Sequence, residues 1–194
     1  GICLVYNDVR IPYCTVAIDH TVGNVIEIEH CRRGRIECRD GENYFYLTQG
    51  DISIRKKTGA GRKLEFPLSH YHGLAILIDL DRIPRCLGCL LDGVDIDPAC
   101  LVEKFRLEEH HHIALRQLLS IEHISSELYT VPESIRRGYH KVKVLEILLF
   151  LSALEPLGDA QPCSHYSRKQ VSLAKAVQAH LAEHLSDNLT IEEL

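Results

Sequence analysis

The stretch Val25–Lys56, VIEIEHCRRGRIECRDGENYFYLTQGDISIRK, decides the fold. Ile26, Ile28 and His30 fall on one face of an extended chain, and Glu27 and Glu29 on the other. Arg32-Arg33-Gly34 reads as a turn, after which Ile36 and Cys38 alternate with Glu37 and Arg39. Asp40-Gly41 is a strong hairpin signal. Tyr44–Leu47 is aromatic and strand-like, Gln49-Gly50-Asp51 turns, and Ile52 and Ile54 resume the alternation.

Outward from that stretch the same pattern continues. Residues 1–20 read as one or two entry strands broken at Pro12. A Lys-, Gly- and Arg-rich loop, Arg55–Lys63, precedes a strand within Phe66–Leu80 that aligns His70, His72, Leu74, Ile76 and Ile78 on one face. Short strands with turn chemistry at close intervals predict a small barrel or jelly-roll sandwich.

Beyond residue 95 the periodicity becomes helical. Asp97-Pro98 opens a helix carrying Leu101, Val102 and Phe105. Ser120 caps another with Ile121, Ile124 and Leu128 in one stripe. Pro132-Glu133 begins a turn ending at Gly138, and Tyr139–Leu154 follows as the most apolar helix. Its apolar residues cover more of its circumference than one core requires, which singles out Val142, Leu145, Leu148, Leu149 and Ser152 as a surface for pairing two copies; complete burial within one chain is the alternative. Glu155–Gln170, with Pro156, Gly158 and Pro162, reads as a linker.

The last stretch, VSLAKAVQAHLAEHLSDNLTIEEL (Val171–Leu194), is a helix with Ala174, Val177, Leu181 and Leu185 at helical spacing. Ser186-Asp187-Asn188 ends it, and Thr190-Ile191-Glu192-Glu193 forms a capping box for a second helix.

Composition bounds the function. With 194 residues, 45% hydrophobic and 25% charged, the chain can bury one substantial core and is not disordered. A net charge of -5 argues against nucleic-acid binding by this stretch as a whole. The longest apolar run, Val144–Leu151, is interrupted by Glu146, so no membrane span is expected. The start has neither a signal-peptide pattern nor an initiator Met, and reads as that of a trimmed or tagged chain. Eight cysteines without an export signal are expected to be reduced thiols of a cytoplasmic protein.

The closing "DNLTIEEL" (Asp187–Leu194) resembles the opening of the DNA-binding region of AraC-family transcription regulators. Upstream, "EIEHCRRGRIE" (Glu27–Glu37) followed by "YFYLTQGDISI" (Tyr44–Ile54) resembles a cupin, the usual effector-binding barrel of that family. The resemblance implies an α+β chain: an N-terminal cupin-like antiparallel β-barrel or jelly roll, then a C-terminal helical part. It implies an effector barrel at 1–95, a helical dimerisation region at 96–154, a linker at 155–170 and the start of a helix-turn-helix domain at 171–194. The implied partners are a small-molecule effector, a second copy of the chain, and operator DNA for the full-length regulator but not for this portion.

Parity places His30, His70 and His72 with the aliphatic residues, on what a barrel would make its inside. They could hold a catalytic metal, hydrogen-bond an effector, or be core histidines with no ligand. The metal reading makes the chain a stand-alone cupin metalloenzyme, but His30 stands alone where such an enzyme has His-x-His and a following Glu. No cofactor is expected, and no metal. Arg32, Arg33, Arg35 and Arg39 form a basic cluster that suits a carboxylate or phosphate, with a solvated face as the simpler reading. Arg35 joins the three histidines as an effector-site candidate. Cys86-Leu87-Gly88-Cys89 lacks a second metal pair and a redox context. No phosphate loop, nucleophile elbow or His-Glu-x-x-His motif is present, so no catalytic residue is assigned and no enzyme is expected.

Overall fold

Val25–Asp40 forms one strand of 16 residues, without the turn expected at Arg32-Arg33-Gly34. A register shift between Cys31 and Arg33 bulges the strand instead. Gly34 carries it onward at φ +89, a region that side-chain-bearing residues rarely enter. A Cβ there would lie 2.2 Å from the His70 carbonyl oxygen, so close backbone approach demands glycine as well.

The computed structural model describes residues 1–17, 23–40, 42–60, 62–83, 96–109, 112–116, 118–155 and 166–184. In chain order these form β1 (Ile2–Val9), β2 (Tyr13–Val16), β3 (Val25–Asp40), β4 (Asn43–Thr48), β5 (Ile52–Lys56), β6 (Arg62–Glu65), β7 (Tyr71–Asp79), α1 (Cys100–Lys104), β8 (Ile113–Leu115), α2 (Leu119–Glu127), α3 (Arg136–Ala153), β9 (Tyr166–Ser167) and α4 (Arg168–Glu183). The fold is α+β, a sheet whose pairings among the described residues are antiparallel, with helices packed on it.

The long strand β3 belongs to two half-sheets. Its first half lies between β7 and β5, with β1 beyond β7 and β8 beyond β5. Its second half pairs with β4 and, at Glu37 opposite Glu65, with β6; β2 and β9 complete that half-sheet at its edges.

The aliphatic face of the first half-sheet looks outward, away from its partner half-sheet. Ile26, Ile28, Ile52, Ile54, Leu74, Ile76 and Ile78 pack against Leu101 and Phe105 of the α1 region, Ile121, Ile124 and Leu128 of the α2 region, and Val144, Ile147, Leu148 and Leu151 of α3. Fully burying each such side chain contributes roughly 1.5–3 kcal/mol. The opposite face turns toward the second half-sheet, where Ile36, Cys38, Phe45, Leu47, Phe66 and Tyr71 build a separate core. Covered on both faces, β3 is buried at every residue from Ile26 to Cys31, so alternation along it does not separate inside from outside.

The Gln49–Asp51 turn forms as expected. Gly50 takes φ +83, and the Asp51 carboxylate accepts the Thr48 amide and hydroxyl at 2.8 Å each, with Arg116 as a further donor. The Ile121, Ile124 and Leu128 stripe is buried, although α2 begins at Leu119 without a side-chain cap from Ser120. Helix α3 begins at Arg136, so Gly138 lies inside it instead of ending the preceding turn. Helix α4 begins at Arg168, within the stretch read as linker, because Ser167 and Gln170 form a reciprocal capping box. The expected helix after Thr190, the Cys86–Cys89 pair, His110, His111 and residues 156–165 lie outside the described residues. Among the described residues no helix is long and apolar enough to cross a membrane.

Candidate functional site

A cavity of about 520 Å³ opens between the two half-sheets. Val5, Ala75 and Leu77 supply apolar wall from one side, and Cys14, Leu64 and Phe66 from the other, with the loop through Lys57–Ala60 at its exposed end. Set into this lining are Glu27, Glu29, Arg55 and Tyr71.

Glu27 and Arg55 face each other across the β3–β5 pair and form an ion pair, each side chain 10% exposed. Removing two charges from water is expensive, and their mutual attraction offsets that cost only while both partners are present. On the neighbouring strand the buried Tyr71 hydroxyl donates to Glu29 Oε1 at 2.9 Å. Burial first, and then the Glu29 charge, push the Tyr71 pKa well above the ordinary phenol value, so it remains a donor. Gly73 makes room for this ring: a Cβ there would lie 2.4 Å from the Tyr71 oxygen. The nearby Cys31 thiol is pushed up to about 12, by burial and then by Glu29 and Asp51, and stays protonated. An apolar chamber with a few fixed donors and acceptors suits a small molecule with a polar head.

None of the four expected effector-site residues lines this cavity. His30 shares its face with Ile28, as parity predicts, but that face meets the helices; it is buried, and among the described residues neither ring nitrogen has a hydrogen-bond partner. Burial and then the Arg32 charge lower its pKa to about 4, against an opposing pull from Asp51. His72 is half-buried edge-on to Tyr129, with ring centroids 5.2 Å apart. His70 is exposed, its Nδ1 3.0 Å from the Leu68 carbonyl. Arg35 is exposed on the outside of the second half-sheet, 5.5 Å over the Tyr46 ring. Among the described residues no group of three or more His, Cys, Asp or Glu side chains is arranged to hold a metal. His112 packs edge-on to Phe45 at 4.5 Å.

Alternation alone sets Glu27 and Glu29 on the face opposite the aliphatic one, away from the expected inside of a barrel. The signal against that assignment lies on β7. Its other face reads Tyr71, Gly73, Ala75 and Leu77, with no charged residue, which marks a strand covered on both sides.

A second polar cluster joins α4 to the outside of the second half-sheet. Lys175 Nζ donates to Glu37 at 2.9 Å and to Glu65 at 2.8 Å, and the Tyr46 hydroxyl donates to Glu37 at 2.9 Å. Against the desolvation of partial burial, which alone would lower it, these bonds raise the Lys175 pKa above the ordinary lysine value. Glu65 is correspondingly lowered, by Lys175 first and Lys63 second. Lys175 therefore faces the sheet beside the buried Val171, while Leu173 and Leu181 stay exposed.

The pairing surface expected on α3 divides. Leu148 is fully buried in the chain's own core, because it points between α3 and the aliphatic sheet face. Val142 is 61% and Leu149 43% exposed, joined by Phe150 at 40%. Leu145 is half-buried and Ser152 exposed.

No protein-family model and no curated protein matches the chain. Among solved structures it is similar to ToxT from Vibrio cholerae. An apo variant from strain SCE256 shares 11% identity over 98% of this chain and 68% of that one, with a TM-score of 0.47. Wild-type ToxT of the same strain with an unsaturated fatty acid bound shares 10% over 97% and 65%, at 0.47. A further Vibrio cholerae ToxT structure shares 12% over 96% and 67%, also at 0.47. At such values the likeness is a distant one, in the course of the chain.

Proposed function

We propose that the chain is the effector-sensing and dimerisation portion of a cytoplasmic, AraC-type transcription regulator, acting by binding and not by catalysis. In this reading the two half-sheets are a cupin-like effector barrel (1–95), followed by a helical dimerisation region (96–154), a connection (155–170) and the start of the helix-turn-helix domain (171–194). The observation that carries the reading is the cavity of about 520 Å³, with its apolar walls and its Glu27–Arg55 and Glu29–Tyr71 pairs. A small-molecule effector there bears on β3, the same strand whose Glu37 holds Lys175 of α4. An occupant that favours one arrangement of that contact over another biases how the DNA-binding domain is held. The exposed Val142, Leu149 and Phe150 support pairing of two copies through α3. Operator DNA is a partner of the full-length regulator only.

The test is a thermal-shift screen of small molecules against the wild type and Ala75→Phe, which fills the cavity from its β7 wall. Compounds that stabilise the wild type and not the variant support the reading. A screen whose hits stabilise both equally refutes it. Sedimentation of Val142→Glu/Leu149→Glu tests the pairing, with dissociation to monomers expected.

A further inference from the structure

A separate pocket of about 360 Å³ lies on the helix-facing side of the first half-sheet, lined by Tyr6, Arg32, His72, Tyr129 and Arg136 together with Leu128 and Val131. Four parts of the fold converge on it: β1, the bulge of β3, the start of β7, and the turn from α2 into α3. Tyr6 fixes the geometry, since its hydroxyl donates to the Leu128 carbonyl at 2.8 Å and lies 3.1 Å from His140 Nε2.

The charges in this pocket are of one sign. Among the described residues no Asp or Glu lines it. Arg32 is half-buried, and among the described residues its guanidinium meets no carboxylate; it lies 4.2 Å over the face of Tyr129. A guanidinium stacked on a ring keeps its in-plane N–H fork available for bidentate bonding. Arg136 pairs with Glu133 at 2.6 Å, but that carboxylate is 82% exposed and binds weakly in water. Arg136 also opens α3, which has neither a capping side chain nor an acidic residue in its first turn, so the positive end of the helix is uncompensated. The hydroxyl of Tyr129, another lining residue, is buried and has no hydrogen-bond partner among the described residues. A half-buried arginine without a counter-charge, a second cation and an unanswered donor have one chemical complement.

We infer that this pocket is an oxyanion site, distinct from the cavity between the half-sheets, that takes the carboxylate or phosphate group of a small molecule on the fork of Arg32 with Arg136 as second cation. The test is heteronuclear NMR on the whole chain, titrated with inorganic phosphate or with acetate at constant ionic strength set by chloride. Saturable shifts of the Tyr129 and His72 rings are expected with at least one probe, and which probe saturates identifies the group. Arg32→Gln is expected to weaken that binding at least about tenfold. Arg32→Lys, which keeps the charge and loses the fork, should weaken it severalfold, and Arg33→Gln, at an exposed neighbour outside the pocket, should leave it unchanged. If Arg32→Gln does not fold, Arg136→Gln is read in its place. Absence of saturation with both probes, or saturation that persists unchanged in the variant, overturns the inference.

Discussion

Replacing His30 by leucine should make the fold markedly less sensitive to acid. His30 stands on β3 opposite Ile52 and Leu74, is 5% exposed, and has no partner for either nitrogen among the described residues. Burial and then the Arg32 charge hold its pKa at about 4, where an unfolded chain takes the proton near 6.5. For a base whose pKa is lowered on folding, the unfolded state binds more protons between the two values. The contribution is therefore fully present above about pH 6.5 and is lost as pH falls toward 4. The gap, at about 1.4 kcal/mol per pH unit, is on the order of 3 kcal/mol. Urea unfolding of wild type and His30→Leu, followed from about pH 7.5 to 4.5, measures it. Carboxylates that lose their charge in this range do so in both proteins, so the difference between the two curves isolates the imidazole. The variant should be no less stable than wild type near neutrality and should pull ahead as the solution is acidified. Parallel curves, or an NMR titration of the His30 ring with a midpoint near 6.5, would refute the reasoning.

Three further expectations concern β3 and its neighbours. Gly34→Ala forces a side chain into a positive φ and against the His70 carbonyl, and should cost about 3 kcal/mol or more in chemical denaturation. Arg55→Met strands the Glu27 carboxylate in a buried site and should cost roughly 3–5 kcal/mol, most of it regained in Glu27→Leu/Arg55→Met; a double variant no more stable than the single one would contradict this. Lys175→Ala removes the two bonds from α4 to the sheet and should raise amide hydrogen exchange through Arg168–Glu183, and because it takes the cation from the buried Glu37, to which Tyr46 still donates, it should also cost about 1 kcal/mol or more of global stability.

The elements that could be read from the residues are those set by local chemistry. The hairpin after Asp40, the turn at Gly50, the alternation along Ile52–Ile54 and Leu74–Ile78, and the Ile121, Ile124 and Leu128 stripe all appear where period and turn residues put them. Arg32-Arg33-Gly34 misleads because glycine after two charged residues is ordinary turn chemistry; only the approach of the His70 carbonyl, a long-range contact, explains that glycine inside a strand. Which face of the first half-sheet lines the cavity is hidden from the sequence for a related reason. Two apolar faces compete for the first half-sheet, and the helices take the more aliphatic one, leaving Glu27, Glu29 and Arg55 to line the cavity. On α4 the apolar residues pointed to one docking face, yet Lys175 docks instead, because Glu37 and Glu65 await it from strands far away in sequence. Ser167-x-x-Gln170 is a helix-start signature set in a stretch whose Pro156, Gly158 and Pro162 read as linker.

The pairing of β1 with β7, which sets Ile2 opposite Ile78 and Val9 opposite Tyr71, bears on how the chain reaches this state. The ribosome releases β1 long before its hydrogen-bonding partner exists, so a strand exposing Ile2, Val5 and Tyr6 must wait while most of the sheet is made. Such distant closure slows folding and lengthens the interval in which an unpaired edge can recruit another nascent chain. Proteotoxic loss during synthesis would therefore begin at β1.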